Sequence, residues 1–336
     1  MTGTSETRMS DAQNLTTAPG VAVLLATYNG ARYVEAQIQS LTHNHTAFTL
    51  HWLDDHSSDD TRQIVRAAAA RSDIDLCEWH QPQRQGVPGA FFQLLESVAA
   101  DIYLFCDQDD IWQPGKIDAT VADLLPDLAI PVLCFSDPLL FYDDQPAIFR
   151  RMSEVLRIRA SANLQGSRSL MANLAWGHAL GLTRPLRELF MPHKDIAREH
   201  AHMHDWWMYL LANASGTSRR LRGVPTTLYR HHGNNVTSAL FTRSRGIQRL
   251  ILTWRLQHRW RRLLSRQAQG FLLASATLPP SSKLQSLLEA APLIATLDRR
   301  QSPADLWRLA RRGAIVPSWH RMFWLTASCL FSDAQA

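Results

Sequence analysis

From Gly20 onward, short apolar runs alternate with helical stretches, and this rhythm constrains the fold more than any other feature of the chain. Val21–Thr27 reads as a strand, Arg32–Leu41 as a helix, Leu50–Leu53 as a strand and Thr61–Arg71 as a helix capped by Ser57, Ser58 or Asp59. Leu76–Trp79, Gly89–Ala99, Asp101–Cys106 and Lys116–Leu125 repeat the pattern, with Pro114 just ahead of the last helix, where proline is tolerated. Repeated βαβα units predict an α/β fold: a mostly parallel sheet covered by helices on both faces. Beyond Ile130 the pattern loosens to a strand at Pro131–Phe135 and a helix around Asp205–Ala212.

In open sheets of this kind, ligands sit beyond the carboxyl ends of the strands, so polar residues that follow a strand matter most. Three such clusters are Ala26-Thr27-Tyr28-Asn29-Gly30, Asp54-Asp55-His56-Ser57-Ser58-Asp59 and Asp107-Gln108-Asp109-Asp110, and all three should line one crevice. Asp107 and Asp109 stand two apart in a segment expected to be extended, which points both carboxylates the same way. Two hard oxygen donors converging at a strand end suit Mg²⁺ or Mn²⁺, ions that in turn bind diphosphate. The plainer alternative is a solvated acidic turn. The apolar run Ile102–Cys106 before the pair and Ile111-Trp112 after it argue for a rigid edge instead. In the second cluster, Asp59 or Asp60 suits the following helix N-terminus, which leaves Asp54 or Asp55 to accept a hydrogen bond from a nucleobase imide.

Composition narrows the class. With 336 residues and 46% hydrophobic content, the chain can bury a full core. Four scattered cysteines, with no Cys-x-x-Cys pair, read as buried hydrophobes in a reducing compartment. Residues 1–18 are polar and read as a disordered leader without a signal peptide, and no run of eighteen apolar residues predicts a spanning helix. Fourteen Arg and one Lys face four acids from Phe241 onward, a surplus of +11 that leaves −6 for residues 1–240. Nucleic-acid binding fits poorly with that acidic remainder.

Five ordered segments carry a resemblance: Leu25–Gly30, Asp54–Thr61, Phe105–Trp112, His204-Asp205-Trp206-Trp207 and Leu228–Asn235. Together they resemble a family 2 glycosyltransferase of the GT-A fold, and more narrowly the bacterial rhamnosyltransferase branch. The resemblance implies a GT-A domain over residues 19–240 followed by a helical appendage over 241–336. It implies that Ala26 and Tyr28 hold the base and ribose of a nucleotide-diphosphate sugar donor, that Asp55 reads a pyrimidine N3–H, and that Arg84 approaches the donor. Asp107 and Asp109 would meet the ribose and the metal-bound diphosphate, with His232 as a further ligand of Mg²⁺ or Mn²⁺ or else a structural histidine. Asp205 is implied as the catalytic base of an inverting transfer, with a helix-cap role as the alternative. Gly177, His178, Trp206 and Trp207 would border a glycan or lipid-linked glycan acceptor, unless the two indoles pack the core. The donor implied is dTDP-L-rhamnose, with a UDP-hexose as alternative, and the acceptor a lipopolysaccharide or capsular chain.

Three departures from the family pattern stand out. His56 replaces a usual Gly, Ala90 stands where Asn is common before Phe91-Phe92, and Gly177-His178 replaces Gly-Cys. Other readings make different predictions. A nucleotide-sugar-binding protein without catalysis would not need Asp107, Asp109 and Asp205 together. A zinc hydrolase built on His193, His200, His202 and His204 predicts stoichiometric zinc, although the His-Glu-x-x-His order is missing. In the tail, Arg255, Arg259, Arg262 and Arg266 share a helix face beside Leu252, Leu256, Trp260 and Leu263, with Trp307, Trp319, Phe323 and Trp324 further on. Such a basic amphipathic helix suits an anionic membrane surface, giving a cytoplasmic enzyme held peripherally at the inner membrane face. The competing expectation is a helix that packs its Leu/Trp stripe on the catalytic domain.

Overall fold

The computed structural model of the chain describes residues 18–143, 145–156, 166–224, 226–232, 246–299 and 303–312. Its elements run β1 (Val21–Thr27), α1 (Val34–Leu41), β2 (Thr49–Asp54), α2 (Thr61–Arg71), β3 (Leu76–Trp79), α3 (Gly86–Ser97), β4 (Ile102–Asp107), β5 (Ile111–Trp112) and α4 (Lys116–Leu124). They continue as β6 (Val132–Phe135), β7 (Leu139–Tyr142), β8 (Gln145–Arg151), α5 (Met152–Val155), β9 (Leu180–Thr183), α6 (Arg184–Phe190), α7 (Lys194–His200) and α8 (His204–Ser215). The last are β10 (Thr217–Arg220), β11 (Thr227–His231), α9 (Gly246–Ser275), α10 (Ser282–Ile294) and α11 (Pro303–Arg311).

The main sheet has the order β10-β6-β9-β4-β1-β2-β3, and β4, β1, β2 and β3 are mutually parallel. β1 sits centrally because its apolar run is buried on both faces. Ala22 and Leu24 enter one core with Phe91 and Phe92 of α3, while Val21, Val23 and Leu25 enter the other with Ile38 of α1 and Val65 of α2. β9 inserts antiparallel between β4 and β6, and so interrupts the predicted parallel pattern inside the sheet. A smaller sheet, β5-β11-β7-β8, lies after the carboxyl end of β4. Registers set the site. Ala26 pairs with Asp107 and Thr27 with Asp54, so the ends of β1, β2 and β4 come side by side.

The expected boundary at residue 240 lies outside the described residues, as do residues 1–17. Past it, α9 and α10 share the core beneath α3 and α8: Leu264, Ala268, Phe271, Leu287 and Ile294 pack there with Trp207 and Leu211. Arg261 is buried as well and donates to the carbonyls of Leu297 and Arg299 at 2.7 and 2.8 Å, which ties α9 to the end of α10. Trp260 lies 5.6 Å from Trp206, centroid to centroid, so this part of the predicted Leu/Trp stripe packs on the domain. Arg259, Arg262 and Arg266 are exposed. The side chains of Leu252, Arg255 and Leu256, and residues Trp319, Phe323 and Trp324, lie outside the described residues. No described helix is long and apolar enough to cross a membrane.

Candidate active site

The ends of β1, β2 and β4 open into a cavity of about 550 Å³, lined among others by Ala26, Tyr28, Asp55, Arg84, Asp107, Asp109, Gly177, His178, Asp205 and His232. Ten of the residues singled out from the sequence therefore meet in one space. Trp206 and Trp207 do not. Their neighbours on α8 are buried all round, and both indoles turn into the core, Trp206 donating Nε1–H to Ser169 O at 2.6 Å. The cavity is lined instead by Met152, Trp176, Met203, His204 and Tyr229 beside those ten residues.

The first loop is held by its neighbours. Gln108 clamps the Tyr28 backbone, accepting from its N–H at 2.9 Å and donating to its carbonyl at 3.0 Å. That clamp needs glycine at 30, where a Cβ would come within 2.2 Å of Gln108 Oε1. The two acids of the second loop divide their work. Asp54 accepts from Thr27 Oγ1, from Ser57 N and Oγ, and from Arg62 Nε. Burial raises its carboxyl, but these donors outweigh burial and hold it below the usual range. Asp55 faces the cavity, and its carboxylate anchors the loop before α3 by accepting from Gln81 Nε2 and from the Gln85 and Gly86 amides, the last two at 2.8 Å. Asp59 accepts from Thr61 N at 3.1 Å and so serves the start of α2. His56 adopts φ +66°, a left-handed conformation that explains why glycine suits this position, and its Nε2 lies 3.1 Å from Gln81 O.

The third loop departs from the extended geometry expected of it. β4 ends at Asp107, and Gln108-Asp109 form a turn, so the carboxylates converge by turning instead of by strand alternation. Burial, then Asp109 and Asp205, push the Asp107 carboxyl up to about 8. Asp110 is fully buried and raised well above the usual range by the same causes, burial first and then Asp109 and Asp107. It accepts from Arg230 N at 3.0 Å, and its other oxygen lies 3.4 Å from His178 Nδ1. Asp109 Oδ2 meets His232 Nε2 at 2.9 Å, and His232 stacks on Tyr33 with centroids 4.8 Å apart. Crowded carboxylates with two imidazoles at their edge form a donor set of hard oxygens and nitrogens, which fits a divalent cation. Ligand atoms of Asp107, Asp110 and His178 lie within 4.8 Å of one another. Among the described residues the histidines of the 193–204 stretch form no such group: His193 meets Thr277 Oγ1 at 3.2 Å, and His204 stacks on Phe91.

Asp205 lies in the first turn of α8, whose N-cap is Met203, so its cap role is internal to the turn. Its carboxylate accepts from Gly177 N at 2.8 Å and from Trp206 N at 2.5 Å. Burial nevertheless pushes it up to about 6, a value suited to taking a proton near neutrality. Gly177 is required by this packing, because a Cβ there would stand 2.8 Å from His204 Nε2 and 3.5 Å from Asp205 Cβ.

Comparison with known proteins bears on the fold and the family. Residues 22–137 match the family model described as glycosyl transferase family 2. The chain is 25% identical over 246 residues to the dTDP-rhamnosyl transferase RfbG of Shigella flexneri, covering 71% of this chain and 81% of that protein. An uncharacterized glycosyltransferase of Nostoc sp. is 28% identical over 102 residues, which span 30% of this chain and 31% of the relative. Among solved structures, S. aureus TarS 1–349 in complex with UDP-GlcNAc superposes with a TM-score of 0.53 at 14% identity, covering 93% of this chain and 89% of that one. The mannosyltransferase PcManGT from Pyrobaculum calidifontis, in complex with GDP-Man and Mn²⁺, gives 0.50 at 16% identity over 95% of this chain and 89% of that one. The chain thus contains a glycosyl transferase family 2 domain, residues 22–137, set in a GT-A fold.

Proposed function

We propose that the protein is an inverting, divalent-metal-dependent hexosyltransferase that moves L-rhamnose from dTDP-L-rhamnose to a hydroxyl of a lipopolysaccharide or capsular glycan. One observation carries the reading of the chemistry: crowded acids whose donor chemistry suits a divalent cation and a separate buried carboxylate, Asp205, border the same cavity. The rhamnosyl donor rests on the likeness to RfbG, a distant relative.

In this reading Tyr28 and Asp55 hold the base, and Asp107 meets the ribose. Asp109 and His232, with Asp107, would hold Mg²⁺ or Mn²⁺, which when bound neutralises charge on the departing diphosphate. Asp205 takes the proton of the acceptor hydroxyl as its oxygen bonds to the anomeric carbon and the bond to the diphosphate breaks. Such general-base assistance contributes about 10²–10⁴ in rate. The exposed face of Arg259, Arg262 and Arg266 would dock the enzyme on an anionic inner membrane surface near a lipid-linked acceptor.

Turnover of dTDP-L-rhamnose, UDP-glucose and UDP-N-acetylglucosamine with Mn²⁺, each with and without a chelator, tests the proposal. Release of dTDP that stops on chelation is expected. Turnover of none of the three, or turnover indifferent to chelation, refutes it.

A further inference from the structure

Arg84 stands between β3 and α3 with its guanidinium carbon 3.6 Å from the centroid of the Tyr28 ring, and its Nε lies 3.7 Å from Asp55 Oδ2. A planar group over that ring, with a nitrogen near that carboxylate, occupies the places that a pyrimidine's face and N3–H would take there. Counting acceptors on Asp55 sharpens the point. Oδ1 already takes Gln81 Nε2 and Gln85 N, and Oδ2 takes Gly86 N, so the position near Arg84 is the remaining one on a carboxylate with about four lone-pair sites.

We infer that Arg84 is an internal competitor for the nucleobase slot: its guanidinium fills the space between Tyr28 and Asp55 and must swing out before a base can enter. The inference rests on the reading of Tyr28 and Asp55 as the base site. The construction of the segment supports it. Arg84 is the half-exposed partner at the longest distance, whereas Gln85 and Gly86 are fastened through their backbone amides and stay in place when the side chain leaves. Gly86 follows at φ +73° with nothing within 4 Å of a Cβ built there, so the loop top has room for the displaced side chain. A slot occupied by its own side chain lowers apparent affinity by the fraction of time it is closed.

Uridine and thymidine, which carry no phosphate for an arginine to attract, are the probes. Their dissociation constants are measured by calorimetry on the full chain and on Arg84→Ala, Arg84→Lys, Tyr28→Ala and Asp55→Asn. Arg84→Ala is expected to bind both nucleosides about three- to tenfold more tightly, corresponding to a slot filled roughly two thirds to nine tenths of the time. Arg84→Lys should follow Arg84→Ala, since an ammonium keeps the charge but not the plane, while Tyr28→Ala and Asp55→Asn weaken binding. Unchanged or weaker nucleoside binding in Arg84→Ala, with Tyr28→Ala and Asp55→Asn still impaired, overturns the competitor role alone. Nucleoside and UDP or dTDP binding indifferent to Tyr28 and Asp55, or no binding at all, overturns the base site and the competitor with it.

Discussion

Replacing Asp205 by Asn should make the protein more stable at alkaline pH and much less active, because the same burial that tunes the proposed base also burdens the fold. The carboxyl rises from an ordinary 3.8 to about 6 on folding. The folded chain therefore keeps this proton to higher pH than the unfolded chain does. Its contribution to stability is largest below the unfolded value, falls as pH rises between 3.8 and about 6, and is flat above. At about 1.4 kcal/mol per pKa unit, ionising Asp205 in place costs the fold about 3 kcal/mol at pH 8. Asn stays neutral and avoids that cost. Its amide group, however, turns an N–H toward one of the two backbone donors that Asp205 satisfies, Gly177 N or Trp206 N, which returns about 1–2 kcal/mol. Urea denaturation should then find Asp205→Asn about 1–2 kcal/mol more stable than the parent at pH 8 and no more stable at pH 4. Steady-state transfer should fall by about 10²–10⁴, and the parent's activity should rise with pH through about 6. A variant within tenfold of parental activity, or a stability difference independent of pH, would refute the reasoning.

Gly177→Ala places a methyl 2.8 Å from His204 Nε2, and His204 cannot retreat because Phe91 stacks on it at 4.1 Å and Phe105 meets its edge at 4.6 Å. A loss of about 1–3 kcal/mol by denaturation, with kcat reduced about 10²-fold and the donor KM little changed, is expected; a normal kcat would contradict it. Asp54→Ala removes the acceptor for Thr27, Ser57 and Arg62, and should cost about 2 kcal/mol at pH 7 by urea titration. Because the folded-state carboxyl is held low, that contribution exists above the unfolded value and is lost as pH falls, so the two proteins should converge in acid. A gap that does not shrink as pH falls below 3.8 would argue against the network.

The parallel half of the fold was legible because two independent signals agreed there. Continuous apolar runs gave β1 and β4, and helical spacing between them gave α2 at Thr61–Arg71. β9, β10 and the β5-β11-β7-β8 sheet were not legible in the same way. Their strands run two to seven residues, and their pairing depends on partners as distant in sequence as Trp112 and Thr227, which no local period records. The same limit applies to the tail, where Arg261 reads as one more cation on a basic helix. The carbonyls of Leu297 and Arg299, in the segment after α10, make it a buried tie.

Within the site, what could be read was whatever lay directly at a strand end, and what could not was whatever depended on a turn or a helix rotation. Strand parity assigns Asp107 and Asp109 to one side and would send Gln108 and Asp110 to the other. Because the strand stops at Asp107, the turn instead brings Gln108 onto the Tyr28 backbone and drives Asp110 inward to Arg230 N and His178. Trp206 and Trp207 fail for a related reason. Adjacent residues on a helix point about 100° apart, so a pair of indoles beside Asp205 cannot both share its direction. Asp205 looks into the cavity because Gly177 N holds it there, and α8, buried from His204 to Ala214, leaves the two rings only the core. The residue types in the motif were therefore informative about chemistry, while the backbone that aims them, glycine at 30 and 177 and the left-handed His56, decided which of them reach the cavity.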